Sequence, residues 1–243
     1  MDVSMVITAY NYAGYLSECL TSCLNQEDAG LSYEVLVIDD GSTDETPALL
    51  AGWKNDRLRK FRIENSGIEA ASNFGFANAR GSYLVRVDAD DLLLPGYLRE
   101  MQAHIEARWP FIYPDYQVID ADGRCIETVC LPEFELAEIC SRGDFLATGT
   151  IYQREVLEAV GGYETRVRNS GLENYELILR LLRAGYIGKH VGRNLFAYRR
   201  HSENISVAKR GQIIKNGKML FDRFSLGAYR TNEFHPYKLR LSP

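Results

Sequence analysis

The chain has 243 residues, 46% of them hydrophobic and 25% charged, with a formal net charge of −5. That balance fits one or two globular domains and excludes disordered, collagenous and coiled-coil classes. No apolar run approaches the roughly 20 residues of a membrane-spanning helix, and the acidic balance argues against general nucleic-acid binding.

The opening MDVSMVITAY carries an acid and no basic n-region, so it does not read as a secretory signal. The expectation is a cytoplasmic chain that begins at this methionine. VSMVITA (3–9) is a short apolar run rich in β-branched residues, the mark of a buried strand. Helical spacing follows over 12–25, and YEVLVIDD (33–40) is a second buried strand. Ser42 and Glu45 have the spacing of a capping box that opens a helix to about Leu50. RLRKFRIE (57–64) alternates polar and apolar residues, as an edge strand does. Ser66 and Glu69 form a second box, with a helix to about Arg80, and SYLVRVD (82–88) is the fourth strand. Strands separated by helices imply βαβ units and a mostly parallel sheet.

Beyond Pro95 the grammar changes. A helix is expected over 96–107 with Pro95 in its first turn, then a hairpin from FIYPDYQVID and CIETVCL about a turn at Asp122–Gly123. FLATGTIYQR (145–154) and FAYRRH (196–201) read as strands. Ser170 and Glu173 form a third capping box, with a helix to about Ala184. A basic amphipathic helix is expected over 205–224, with Lys209, Arg210, Lys215, Lys218 and Arg223 beside Ile213, Ile214, Leu220 and Phe221. The fold class is therefore α/β, one compact domain with a parallel half at 1–95 and a mixed half at 96–243.

Charge is unevenly distributed. Residues 1–186 hold 16 basic and 30 acidic side chains, and 187–243 hold 12 and 3. A basic end on an acidic body reads either as a contact with anionic lipid or a phosphorylated substrate, or as a segment that neutralises its own body. The five cysteines form no C-x-x-C pair and no zinc spacing. Cys19 and Cys23, four apart on a helix, read as small buried apolar residues.

Open α/β sheets bind ligands at the carboxyl ends of their strands. Three such ends carry unusual residues: Thr8-Ala9-Tyr10-Asn11, Asp39-Asp40-Gly41-Ser42 and Asp88-Ala89-Asp90-Asp91. Acids this close repel one another unless a cation neutralises them. Mg²⁺ is typically held by one or two carboxylates plus substrate phosphates. The pattern points to a metal–diphosphate site, against a plain reading as an acidic turn before the helix. Asp39 or Asp40 offers a carboxylate to a base or ribose, while the other caps the G-S-T turn. Neither a P-loop nor a G-x-G-x-x-G motif is present.

In combination these segments resemble the family 2 glycosyltransferases, of GT-A fold. The matching stretches are MVITAYNYAGYLSECLTSCLNQ (5–26), YEVLVIDDGSTDET (33–46), NSGIEAASNFGFANARGSYLVRVDADD (65–91), GLENYELILRLLRAGY (171–186) and YRRHSENIS (198–206). The resemblance implies transfer of a sugar from a nucleotide-sugar to an acceptor hydroxyl with inversion, in polysaccharide or glycolipid biosynthesis. It places Thr8, Ala9, Tyr10, Asn11, Asp39, Asp40 and Asp88 around the nucleotide, and Asp90 and His201 on Mg²⁺ or Mn²⁺. Tyr198, Arg199 and Arg200 would support His201 at the diphosphate. It implies an acid pair at the start of a helix, the second often assigned as base. Here the pair reads Glu173-Asn174, and an amide cannot take a proton. Glu173 is then the candidate base, with Asn174 orienting the acceptor, although Glu173 also fits the third capping box. Asp91 and Asp115 are further acceptor-side acids, Asp115 also reading as a hairpin-turn residue. Ser72 stands where the family often has Arg, leaving Arg80 or Arg86 to compensate.

Two other classes compete. A sugar nucleotidyltransferase would need a basic Gly-rich first loop, which TAYNYAG is not. A non-catalytic nucleotide or saccharide module would bind without releasing diphosphate. The implied partners are a nucleotide-sugar donor and a saccharide or lipid-linked saccharide acceptor, with peripheral membrane contact through the basic helix and no nucleic acid.

Overall fold

β1 (Val3–Ala9) and β2 (Tyr33–Asp39) are buried along their whole length. A strand covered on both faces belongs inside a parallel sheet with helices on either side. β1 pairs in parallel with β2 and with β4 (Tyr83–Asp88), and β3 (Leu58–Arg62) closes the edge beside β2. The computed structural model describes residues 1–27, 29–145, 148–202, 204 and 210–241.

The sheet continues into the second half in the order β3-β2-β1-β4-β8-β6-β9-β5. β8 (Ile151–Gln153) runs antiparallel to β4 and to β6 (Phe111–Ile119). β9 (Lys189–Arg199) runs parallel to β6, and β5 (Leu92–Leu93) antiparallel to β9. β7 (Cys125–Val129) completes the hairpin on β6, whose turn takes Gly123 at φ 84°. One hydrophobic cluster runs through both halves.

The helices are α1 (Ala13–Leu24), α2 (Thr46–Gly52), α3 (Ile68–Asn78), α4 (Tyr97–Glu106), α5 (Leu136–Arg142), α6 (Arg154–Ala159), α7 (Glu173–Arg183) and α8 (Arg210–Phe224). Cys19 and Cys23 are buried in α1 as free thiols. Gly75 lets α3 lie close on the sheet: a Cβ there would come within 2.3 Å of Val6 Cγ1 and 3.2 Å of Ile38 Cγ1.

Several expectations are corrected. None of the three capping boxes forms, and α2, α3 and α7 have no side-chain cap at their first turn. Pro95 precedes the α4 cap, Gly96, which takes φ 82° instead of entering the first turn. The strand read over 145–154 shrinks to β8, with 146–147 outside the described residues. FAYRRH is the end of a longer strand, and His201 lies just past it. Residues 205–209 of the basic helix, including Lys209, lie outside the described residues. In α8, Ile213 and Phe221 are buried against the body, whereas Arg210, Lys215, Lys218 and Arg223 face outward. Ile213 and Phe221 of the apolar stripe are therefore packed inward, Ile214 and Leu220 are half-buried, and Met219 is exposed among the charges.

Candidate functional site

The carboxyl ends of β1, β2 and β4 lie level, because Ala9 pairs with Asp39 and Thr8 with Asp88. Their loops meet at one rim, over a cleft of about 530 Å³, a size typical of small-molecule sites. Thr8, Ala9, Tyr10, Asn11, Asp40, Asp88 and Asp90 all line it. Asn169, Gly171, Glu173, Asn174 and Tyr237 form the facing wall.

The first two loops are tied together. Asn11 takes φ 60°, a left-handed geometry that Asn tolerates better than most residues. Its backbone N–H donates to Ser42 Oγ at 3.0 Å, and its Oδ1 accepts from Thr43 N at 2.8 Å. Asp39 turns away from the cleft: its Oδ1 accepts from Ser42 N at 2.8 Å, and Arg62 lies 3.4 Å from Oδ2. Asp39 thus caps the turn, and Asp40 is the acid in the cleft wall. The Asp40 carboxylate accepts from Ser66 N at 2.7 Å and Gly67 N at 2.9 Å, which joins the third element to the rim. Ser66 and Glu69 serve such long-range bonds instead of a cap. Glu69, buried, accepts from Asn169 N and Ser170 N at 2.9 and 2.8 Å and so positions the facing wall.

In the third loop Asp90 Oδ2 lies 2.9 Å from His201 Nε2 and accepts from Asn204 Nδ2 at 3.3 Å. His201 stacks on Tyr15 with ring centroids 5.0 Å apart. Arg199 is buried scaffold and does not line the cleft. Its Nε donates to Asp90 O at 2.8 Å, and its Nη2 to Glu18 at 2.6 Å. Asp91 is also scaffold: fully buried, it accepts from Arg199 N at 2.8 Å and does not line the cleft. Burial, with Asp90 and Asp88 beside it, holds its carboxyl well above the usual range. Asp115 sits inside β6, not in a turn. It accepts from Leu131 N at 2.7 Å and lies 2.8 Å from His190, outside the cleft lining. Neither acid lines the cleft.

Arg86 is the residue that sequence reasoning undervalued. Its guanidinium lies 3.0 Å from Asp88 through Nε and 3.0 Å from Glu173 through Nη2. It packs over the Tyr163 ring at 5.0 Å. An arginine amid the apolar residues of a central strand is anomalous, and that was the available signal. Of the two candidates to compensate for Ser72, Arg86 lines the cleft and Arg80 is exposed. Burial pushes the Asp88 carboxyl up to about 6; Arg86 opposes the rise, and Asp90 and Glu173 add to it. Asn174 Oδ1 accepts from Tyr163 Oη at 2.8 Å.

The donor set fits a hard cation. Two ligands at adjacent corners of an octahedron with bonds of about 2.1 Å stand roughly 3 Å apart. Asp90 Oδ2 and His201 Nε2 are 2.9 Å apart. Among the described residues no third His, Cys, Asp or Glu completes a cluster.

The segment behind the wall carries its own titration. His235 is fully buried; its Nδ1 accepts from Tyr237 N at 3.1 Å, and its Nε2 lies 3.4 Å from Tyr229 Oη. Burial, then Arg210, pulls its pKa down to about 4. A depressed histidine pKa stabilises fully above the unfolded value of about 6.5 and loses that contribution as pH falls toward the folded one. Acidification from pH 7 to pH 4 should thus cost about 3 kcal/mol at this residue. Urea midpoints across that range should fall more steeply for the native chain than for His235→Asn; parallel curves refute the effect.

A sequence profile described as Glycosyl transferase family 2 matches residues 4–160, well over half the chain. The succinoglycan biosynthesis protein ExoO of Rhizobium meliloti (strain 1021) is 37% identical over 140 residues, covering 57% of this chain and 39% of that protein. A chondroitin synthase of Escherichia coli is 28% identical over 213 residues, 85% of this chain and 30% of its own length. The chain thus spans well under half the length of these curated relatives. Among solved structures, S. aureus TarS 1–349 in complex with UDP-GlcNAc has a TM-score of 0.74 at 20% identity, covering 94% of this chain and 67% of that one. That likeness shows the fold: mixed α/β, GT-A-like.

Proposed function

The chain belongs to glycosyl transferase family 2, and from that premise we propose that it is a metal-dependent inverting glycosyltransferase. In this reading it moves a sugar from a nucleoside-diphosphate sugar to an acceptor hydroxyl, in assembly of a cell-envelope polysaccharide or glycolipid. The observation that carries the reading is the convergence of Asp40, Asp88 and Asp90 on one cleft, with Glu173 facing them. Residues 1–95 hold the donor, and residues 96–243 supply the acceptor side.

Thr8, Ala9, Tyr10, Asn11 and Asp40 line the part of the cleft that takes the nucleoside. Asp88 and Arg86 border the sugar. Asp90 and His201 would hold Mg²⁺ or Mn²⁺, which when bound would supply positive charge for the departing diphosphate. An alcohol is a poor nucleophile at neutral pH, so a positioned base must take its proton as the new bond forms. Glu173 faces Asp88 across Arg86, where an acceptor would attack the anomeric carbon from the side opposite the leaving group. That geometry inverts the anomeric centre. Asn174 orients the acceptor and holds no proton. The exposed Arg210, Lys215 and Lys218 give this side of the molecule the sign that an anionic lipid surface attracts, which suits a lipid-linked acceptor.

The test is a panel of nucleotide-sugars incubated with Mn²⁺ or Mg²⁺ and assayed for nucleoside diphosphate. Release from one donor, strengthened by an acceptor saccharide, is expected. UDP-sugars come first, because TarS was solved with UDP-GlcNAc. Asn174 favours one alternative, a binding module that has lost its second acid. Calorimetric binding of nucleotide without release of diphosphate over hours selects that alternative.

A further inference from the structure

Behind the cleft lies a chamber of about 10 Å³, the room that one water-sized atom needs. Arg86, Asp88, Thr148 and Asn174 line both spaces, so the two adjoin along these residues. Tyr152 and Phe196 are among the residues that close the far side.

These shared residues carry unmade hydrogen bonds. Arg86 Nη1 and Thr148 Oγ1 are buried without a hydrogen-bond partner, on residues each 8% exposed. Asp88 Oδ1 also accepts no hydrogen bond, although Arg86 Nε lies 3.0 Å away. Buried polar groups in native proteins are almost always partnered. Orphans on one wall of an atom-sized space mark the place of a missing polar atom. Its chemistry is constrained. It must accept from a guanidinium N–H and donate to a carboxylate or hydroxyl, which a ligand hydroxyl, or a water in the absence of ligand, does with a single heavy atom. An acetamido group is too large. A carboxylate would add a third anion to an Arg86 already paired with Asp88 and Glu173.

We propose that this chamber takes one hydroxyl of the transferred sugar, and that Arg86 and Thr148 select the donor through it. The inference rests on the donor-binding reading above and deepens it. Thr148 is then a specificity-determining residue.

The experiment measures displacement of UDP by UDP-glucose and by each of its monodeoxy analogues, for the native chain, Thr148→Val and Thr148→Ser. Loss of one hydrogen bond to a charged group weakens binding roughly tenfold to a hundredfold. One analogue should show that loss in the native chain. Thr148→Val should shrink its penalty at least about threefold, leave the penalties of the other analogues and the affinity for UDP itself unchanged, and thus isolate the pair. Thr148→Ser, which keeps the hydroxyl, should retain the native penalty. Equal binding of all analogues overturns the proposal, as does a penalty identical in the native chain and Thr148→Val. Failure to bind UDP at all removes instead the nucleotide reading beneath it.

Discussion

Asp90→Asn lowers release of nucleoside diphosphate by about a hundredfold or more, the expected loss when charge stabilisation of a leaving diphosphate is removed. The substitution keeps the shape of the side chain and one oxygen toward His201, now 2.9 Å away. It removes the anion that a divalent cation requires. The fold should survive, because Arg199 grips Asp90 through its backbone carbonyl, at 2.8 Å, and not through its carboxylate. Two readouts check this. Affinity for UDP should fall in Mn²⁺ and change little in chelator, and the thermal midpoint should stay within a few degrees. Full activity in the variant would show that the cation sits elsewhere.

Glu173→Gln should reduce transfer to the acceptor by roughly 10²- to 10⁴-fold, the range associated with a lost general base. Glutamine retains an oxygen for Arg86 Nη2, which lies 3.0 Å from Glu173 Oε1. The Arg86 bridge and the wall around it therefore stay in place, and only the proton acceptor is gone. Donor affinity should hold while kcat falls, the signature of an interaction made in the transition state. Asn174→Ala should cost far less, since its Oδ1 is occupied by the Tyr163 hydroxyl at 2.8 Å. If Glu173→Gln transfers sugar at the native rate, the base is another group.

The three failed capping boxes share a cause. Ser42, Ser66 and Ser170, with Glu69 and Glu173, all lie on or beside loops at the rim of the sheet. A capping box is a local rule and assumes that nothing else competes for the side chains. At this rim backbone and side-chain groups from elsewhere in the chain compete. Ser42 takes the N–H of Asn11, Ser66 donates to Asp40, Glu69 holds Asn169 and Ser170, and Glu173 reaches Arg86. Sequence spacing identified polar residues with a task but assigned the nearest partner. The same holds for the adjacent acids Asp39 and Asp40, of which Asp39 caps the turn and Asp40 lines the cleft. Arg199 and Asp91, adjacent to site residues in sequence, became the buried frame that carries Asp90.

The parallel half was legible because its signals are local and repeated. β-branched apolar runs separated by helical spacing bury both faces of a sheet by right-handed crossovers and almost no other way. The acids at the carboxyl ends of those strands were legible for the same reason, since strand direction alone brings their loops to one rim. The pairing of Arg86 with Asp88 and Glu173, the 2.9 Å approach of His201 to Asp90, and the chamber that Thr148 lines behind them join residues far apart along the chain. Such contacts depend on loop paths and on competition among buried polar groups for few partners, which periodicity does not encode. Composition and pattern determined the scaffold and the rim; tertiary packing alone decided which side chain lines the cleft and which supports it.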